Sequence, residues 1–152
     1  MKQIEQIANI VNSGFRVAVI ESARRDTIVD LFEQYGDYYG QGVYVWEKGI
    51  GLQRLGLESV TIAGTRSLKD ALKFISTSIH FGIYLIRDFP ERRSHRVNVL
   101  LRQIAESERA GAGLVALLAP RVVLEPRLEP KVLTVACGEQ TQPAPVPQQA
   151  VA

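Results

Sequence analysis

Cysteine is nearly absent from this chain: Cys137 stands alone. That excludes an internal disulfide framework and a cysteine-rich metal site, and it fits a reducing compartment. With Gly138 beside it and no activating neighbour, the thiol is expected to be buried or inert. Histidine is almost as scarce. His80 and His95 lie beyond any i, i+4 relation and have no cysteine pair beside them, so no metal site is expected. An uninterrupted apolar run of the ~20 residues needed to cross a bilayer is missing, and the amino terminus lacks the basic-then-apolar order of a secretory signal. A cytoplasmic location without membrane contact is therefore expected. A dominant sign of charge is missing too: 18 Lys and Arg against 16 Asp and Glu leave +2, which neither demands nor excludes a polyanionic partner.

What remains is an ordinary globular composition. At 152 residues, 46% hydrophobic and 22% charged, the chain can bury a real core but not two. One domain is expected over residues 1–138. Residues 139–152, rich in Pro, Gln and Ala, hold too little burying side chain to offset their ordering entropy and read as a disordered tail.

Hydrophobic spacing sets the elements. Ile4, Ile7, Ala8 and Val11 predict a first helix over Lys2–Ser13, and Ile28, Leu31, Phe32 and Tyr35 a second over Arg24–Tyr35, with Gly36 and Gly40 in a return loop. Leu68, Ala71, Leu72 and Ile75 predict a third, for which Ser67 is a natural amino-terminal cap with Asp70 three residues on. Val97, Leu100, Leu101 and Ile104 predict a fourth over Arg92–Arg109, broken by Gly111 and Gly113. Apolar runs at Phe15–Ile20, Val43–Trp46, Ile83–Ile86, Leu114–Leu118 and Val132–Ala136 predict five strands, with Val60–Ile62 as an edge candidate. Pro120, Pro126 and Pro130 argue against a long helix between the last two. Apolar strands alternating with amphipathic helices imply an α/β three-layer sandwich, a mainly parallel five-stranded sheet covered on both faces.

The run Gly82–Pro90 delivers Asp88 to the carboxyl edge of that sheet, where nucleotide-hydrolysing proteins place the acid that orients magnesium. Such an acid needs a phosphate cradle of glycines and a lysine after the first strand. The stretch there is Glu21-Ser-Ala-Arg-Arg-Asp-Thr27, without glycine or lysine and opened by a carboxylate. Asp88 is accordingly expected to cap the following turn rather than to catalyse. A hydrolase or transferase using Ser22 with Asp88 ranks last, since no histidine is spaced to activate Ser22. Arg87, Arg92, Arg93, His95, Arg96 and Arg102 form the densest basic cluster. It reads as a solvated face or a docking surface for an acidic partner, with nucleic acid as the alternative. Tyr35, Tyr38, Tyr39, Tyr44 and Trp46 crowd one stretch, as a closed sheet edge or a protein interface would require.

Several stretches together resemble one family. Val17-Ala-Val-Ile-Glu-Ser22, Val43-Tyr-Val-Trp-Glu-Lys-Gly-Ile-Gly-Leu52, Leu72-Lys-Phe-Ile75, Gly82-Ile-Tyr-Leu-Ile-Arg-Asp-Phe89 and Leu117-Leu-Ala-Pro-Arg-Val-Val-Leu-Glu-Pro-Arg-Leu-Glu-Pro-Lys-Val132 are similar, in order and spacing, to the amino-terminal domain of the AAA ATPases of cyanobacteria, plastids and many bacteria, the hypothetical-chloroplast-reading-frame type. The resemblance covers about Ile4 to Ala136. It implies a P-loop-like sheet that has lost its phosphate loop, with strand order 5-1-4-3-2 and a degenerate nucleotide edge near Ser22, Asp88 and Ala119. With the missing phosphate loop it points to a non-catalytic adaptor or regulatory domain without a cofactor, its partner an AAA ATPase in trans, since the given sequence ends before such a module begins; Arg87, Arg92, Arg93 and Arg96 of the basic cluster are the candidate interaction surface.

Overall fold

A computed structural model describes residues 2–56, 60–78, 81–108 and 113–136. The expectations for His80, Arg109, Gly111, Cys137 and the 139–152 tail lie outside the described residues.

The architecture is built on β6 (Leu114–Ala119), whose six residues are all buried. It pairs in parallel with β1 (Val17–Glu21) on one side and β5 (Ile83–Arg87) on the other. Successive side chains of a strand point to opposite faces, and the two faces here meet different cores. Ala18, Ile20, Ile83, Leu85, Leu114, Ala116 and Leu118 pack with Ile7, Ile28 and Phe32 of α1 (Lys2–Val11) and α2 (Arg25–Tyr39). Val17, Val19, Tyr84, Ile86, Val115 and Leu117 pack with Leu72, Ile75, Leu101 and Ile104 of α3 (Leu68–Thr77) and α4 (His95–Ala105). Burial on both faces is what makes these strands read as unbroken apolar runs.

The sheet is longer than the five strands expected. Seven strands run in the order β4-β3-β2-β5-β6-β1-β7, where β2 is Val43–Glu47, β3 Gly51–Arg54, β4 Val60–Thr61 and β7 Leu133–Ala136. From β2 to β7 neighbours are parallel; β3 and β4 extend the sheet antiparallel, making it mixed. Gly49 lies in the β2–β3 connection and Gly51 opens β3. Gly49 takes φ 84° in the turn, closed by Ile50 N–H donating to the Glu47 carbonyl at 3.0 Å.

Helix boundaries differ from the spacing in two instructive places. α2 runs through Gly36 to Tyr39 and ends at Gly40 in the left-handed region. Gly36 lies inside the helix, and glycine is needed there because a Cβ would lie 2.6 Å from both the Gln41 carbonyl oxygen and Val43 Cγ2. α4 starts at His95 rather than Arg92, since the Ser94 hydroxyl caps it by accepting from Val97 N–H at 3.3 Å. The Ser67 cap on α3 is present, accepting from Asp70 N–H at 3.0 Å. Between β6 and β7 the described chain forms only a short 3-10 turn, Glu129–Lys131.

Thr65 fastens the antiparallel extension. Its buried hydroxyl accepts from Leu52 N–H at 2.9 Å and donates to the Ile62 carbonyl at 2.6 Å, while Trp46 Nε1 donates to the Thr65 carbonyl at 3.1 Å. Gly51 passes close beneath, at φ 109°, where a Cβ would sit 3.1 Å from Thr65 Oγ1. Thr65→Val keeps the shape but orphans a buried donor and acceptor, a loss of about 1–3 kcal/mol. Urea unfolding should show it as a lower midpoint with an unchanged slope; a midpoint equal to that of the unsubstituted chain would contradict this role.

Candidate functional site

Parallel pairing brings the ends of β1, β5 and β6 to one edge. Ser22 N–H donates to the Ala119 carbonyl at 3.1 Å, and Phe89 N–H to the Leu118 carbonyl at 3.2 Å, so Ser22, Asp88 and Ala119 stand together at the ends of adjacent strands. The side chains make something else of it. Ser22 is buried, and its Oγ accepts from Arg24 N–H at 2.9 Å, a local turn that starts α2. Glu21 Oε2 accepts from Val122 N–H at 3.3 Å and ties the end of β1 to the loop after β6.

Asp88 sits at φ 56°, the one described non-glycine residue in the left-handed region. Its carboxylate meets Arg25 Nε at 2.8 Å, and the neighbouring Arg87 pairs with Asp26. The expected turn cap is thus replaced by an ion pair to α2, because Asp88 leaves the strand facing the first turn of that helix. The two pairs run crosswise, residues 25 and 26 of α2 meeting 88 and 87 of the β5 end. Side chains exposed by 28% and 55% in the first pair are well hydrated, so each pair is worth only about 0–1 kcal/mol. Their consequence is neutralisation: two of the cations and both nearby acids satisfy each other. Between them lies a cleft of about 270 Å³ lined by Ala23–Thr27 and Arg87, at the small end of ligand pockets of roughly 300–1,000 Å³. Its floor offers neither a glycine-rich turn nor a lysine.

A protein-family profile described as "SpoVK-like AAA ATPase, N-terminal domain" matches residues 3–137. The chain belongs to this family. No curated protein and no solved structure matches it significantly.

In this SpoVK-like N-terminal domain the basic cluster read from the sequence is divided. Arg93 turns inward. Its guanidinium donates to the carbonyls of Pro90 at 2.9 Å, Glu91 at 3.2 Å and Val123 at 2.7 Å and to Asn98 Oδ1 at 3.3 Å, and it lies 4.7 Å from the centroid of the Phe89 ring. Burial pulls the guanidinium below its ordinary pKa, with Glu125 opposing. Arg87 is held by Asp26, and Arg102 meets Glu125 at 3.3 Å. Arg92, His95 and Arg96 are exposed, and no ion pair engages them among the described residues. The structure therefore places Arg87 with the Ser22–Asp88 edge, Arg93 in the strap to the loop after β6, and Arg92 and Arg96 on the surface.

The tyrosines divide as well. Tyr35 and Trp46 are buried, Tyr44 stacks on Tyr84 of β5 with centroids 4.9 Å apart, and Tyr38 and Tyr39 are exposed. Sequence reading missed Thr65 and the strap role of Arg93, whose partners are mostly backbone carbonyls that leave no residue-type signal. No group of three His, Cys, Asp or Glu among the described residues is placed to hold a metal, and no helix among them is long and apolar enough to cross a membrane.

Arg93→Ala should lower unfolding free energy by about 1–2 kcal/mol, since it leaves the part-buried Pro90 carbonyl and Asn98 Oδ1 without their charged donor, while the Glu91 and Val123 carbonyls are open to water. Arg93→Lys should regain less than half, because one ammonium cannot serve acceptors spread around a planar fork. Full stability of the lysine variant in urea titration would count against the strap.

Proposed function

We propose that this domain is a non-catalytic adaptor or regulatory unit that works through protein–protein contacts. The observation that carries the reading is the turn after β1: its own Arg25 and Asp26, paired with Asp88 and Arg87, stand where a nucleotide-binding relative would hold phosphate. Membership in a family of AAA ATPase amino-terminal domains supports an AAA ATPase module as the class of partner. Assignment to the cyanobacterial and plastid type is part of the same proposal and rests on the 17–22, 43–52 and 82–89 stretches. The reading calls for no cofactor and places the domain in the cytoplasm. Contact with a phosphate backbone through Arg92, Arg93 and Arg96 has less to support it, because Arg93 spends its donors within the domain.

Affinity purification of the tagged chain from its native host tests this. The expected outcome is a stoichiometric protein partner carrying an AAA module, retained after nuclease treatment. A purified chain that turns over ATP by itself, with turnover abolished by Asp88→Asn, would overturn it, as would co-purifying nucleic acid in place of protein.

A further inference from the structure

We propose that the carboxyl-terminal half of α2 is the docking surface, and that it receives an arginine side chain from an extended segment of the partner. The inference rests on the adaptor reading and adds where and by what chemistry the contact is made. Far along α2 from the Arg25 turn, a cleft of about 510 Å³ opens between the end of α2 and β3, lined by Glu33, Asp37, Gln41, Val43, Arg54 and Leu55 among others. Its lining mixes glycines and apolar side chains with two carboxylates, Glu33 and Asp37. Glu33 and Asp37 have no ion pair among the described residues. Gln41 Oε1 is buried without a hydrogen-bond partner, a state that native proteins rarely leave unexplained. The last turn of α2 carries no basic residue, so the negative end of the helix is uncompensated by its own side chains. One cation, Arg54, lines the cleft and lies 5.9 Å from the Tyr44 ring centroid, which leaves the two carboxylates in excess.

A guanidinium matches this set: five donors in a planar fork, one charge, and a stem able to lie on Val43 and Leu55. The adjoining helical stripe explains why the arginine should belong to a polypeptide. Tyr38 is 79% exposed and Tyr39 53%; their rings are 4.8 Å apart, and with Ile4, Glu5 and Gln34 they line a second cleft of about 420 Å³. Exposed aromatic faces beside a carboxylate take up further cationic and apolar side chains flanking the first.

The test is nitrogen-15 NMR titration of the full chain with a capped tetra-arginine peptide and with its neutral tetra-citrulline counterpart. Arginine peptide should shift Glu33, Asp37, Gln41 (including its side-chain amide) and Tyr38, citrulline peptide should not, and Glu33→Gln/Asp37→Asn should weaken binding about tenfold with spectra otherwise native. Tyr38→Ala should weaken it less. Shifts centred elsewhere, equal response to both peptides, or an unaffected double variant would overturn the proposal. Partner capture by the same double variant separates the two readings. A host protein retained equally by variant and unsubstituted chain refutes this surface and leaves the adaptor role standing. Selective arginine binding with no host protein captured by the unsubstituted chain refutes the adaptor role, and with it the partner segment proposed for the cleft.

Discussion

The structure depends on one constraint: β6 is buried along its whole length, so every one of its backbone groups must find a partner in β1 or β5. Parallel pairing on both sides satisfies that demand and leaves little freedom elsewhere. It fixes which residues of three strands end together, and it forces each connection over a face of the sheet, where α1 and α2 cover one side and α3 and α4 the other. The edge bearing Ser22, Asp88 and Ala119 is a by-product of this pairing. Such an edge persists for reasons of packing whether or not it still performs chemistry.

At that edge the balance of charges decides what is possible. A phosphate site needs uncommitted backbone amides and cations. Here the Ser22 hydroxyl consumes one amide, Asp26 and Asp88 hold two arginines, and Glu21 braces the following loop. Exposed ion pairs add little stability, yet they change what an arriving anion meets: acids already in place. Across the domain, α2 offers the opposite, with acids that make no ion pair among the described residues and an orphaned amide oxygen at its far end. One helix therefore joins a self-satisfied turn to an unsatisfied cleft.

Much of this was legible in the residues, and the rest was hidden for identifiable reasons. Strands buried on both faces announce themselves as apolar runs, and Ser67 with Asp70 announces a helix start. Gly49 and Gly51 are ambiguous in sequence because glycine marks both lost structure and a tight hairpin; the β2–β3 pairing, and the close approach of Gly51 to Thr65, show which holds. Gly36 looked like a helix end, although it serves a close approach inside the helix. The absence of a phosphate loop was plain from the 21–27 stretch. The crosswise pairs were not, since joining Arg25 to Asp88 requires knowing that β1 and β5 flank β6. Arg93 looked like a surface cation because its carbonyl acceptors, one of them 30 residues away, have no signature in residue type.

The central claim is that the turn following β1 has exchanged a grip on phosphate for a grip on its own neighbours. Calorimetric titration of the unsubstituted chain with magnesium-ATP, read together with amide shifts from Ser22 to Thr27, addresses it most directly. The account predicts no saturable heat up to millimolar nucleotide and no localised shifts in that turn. Micromolar saturation with shifts centred on Ala23 to Thr27 would contradict it.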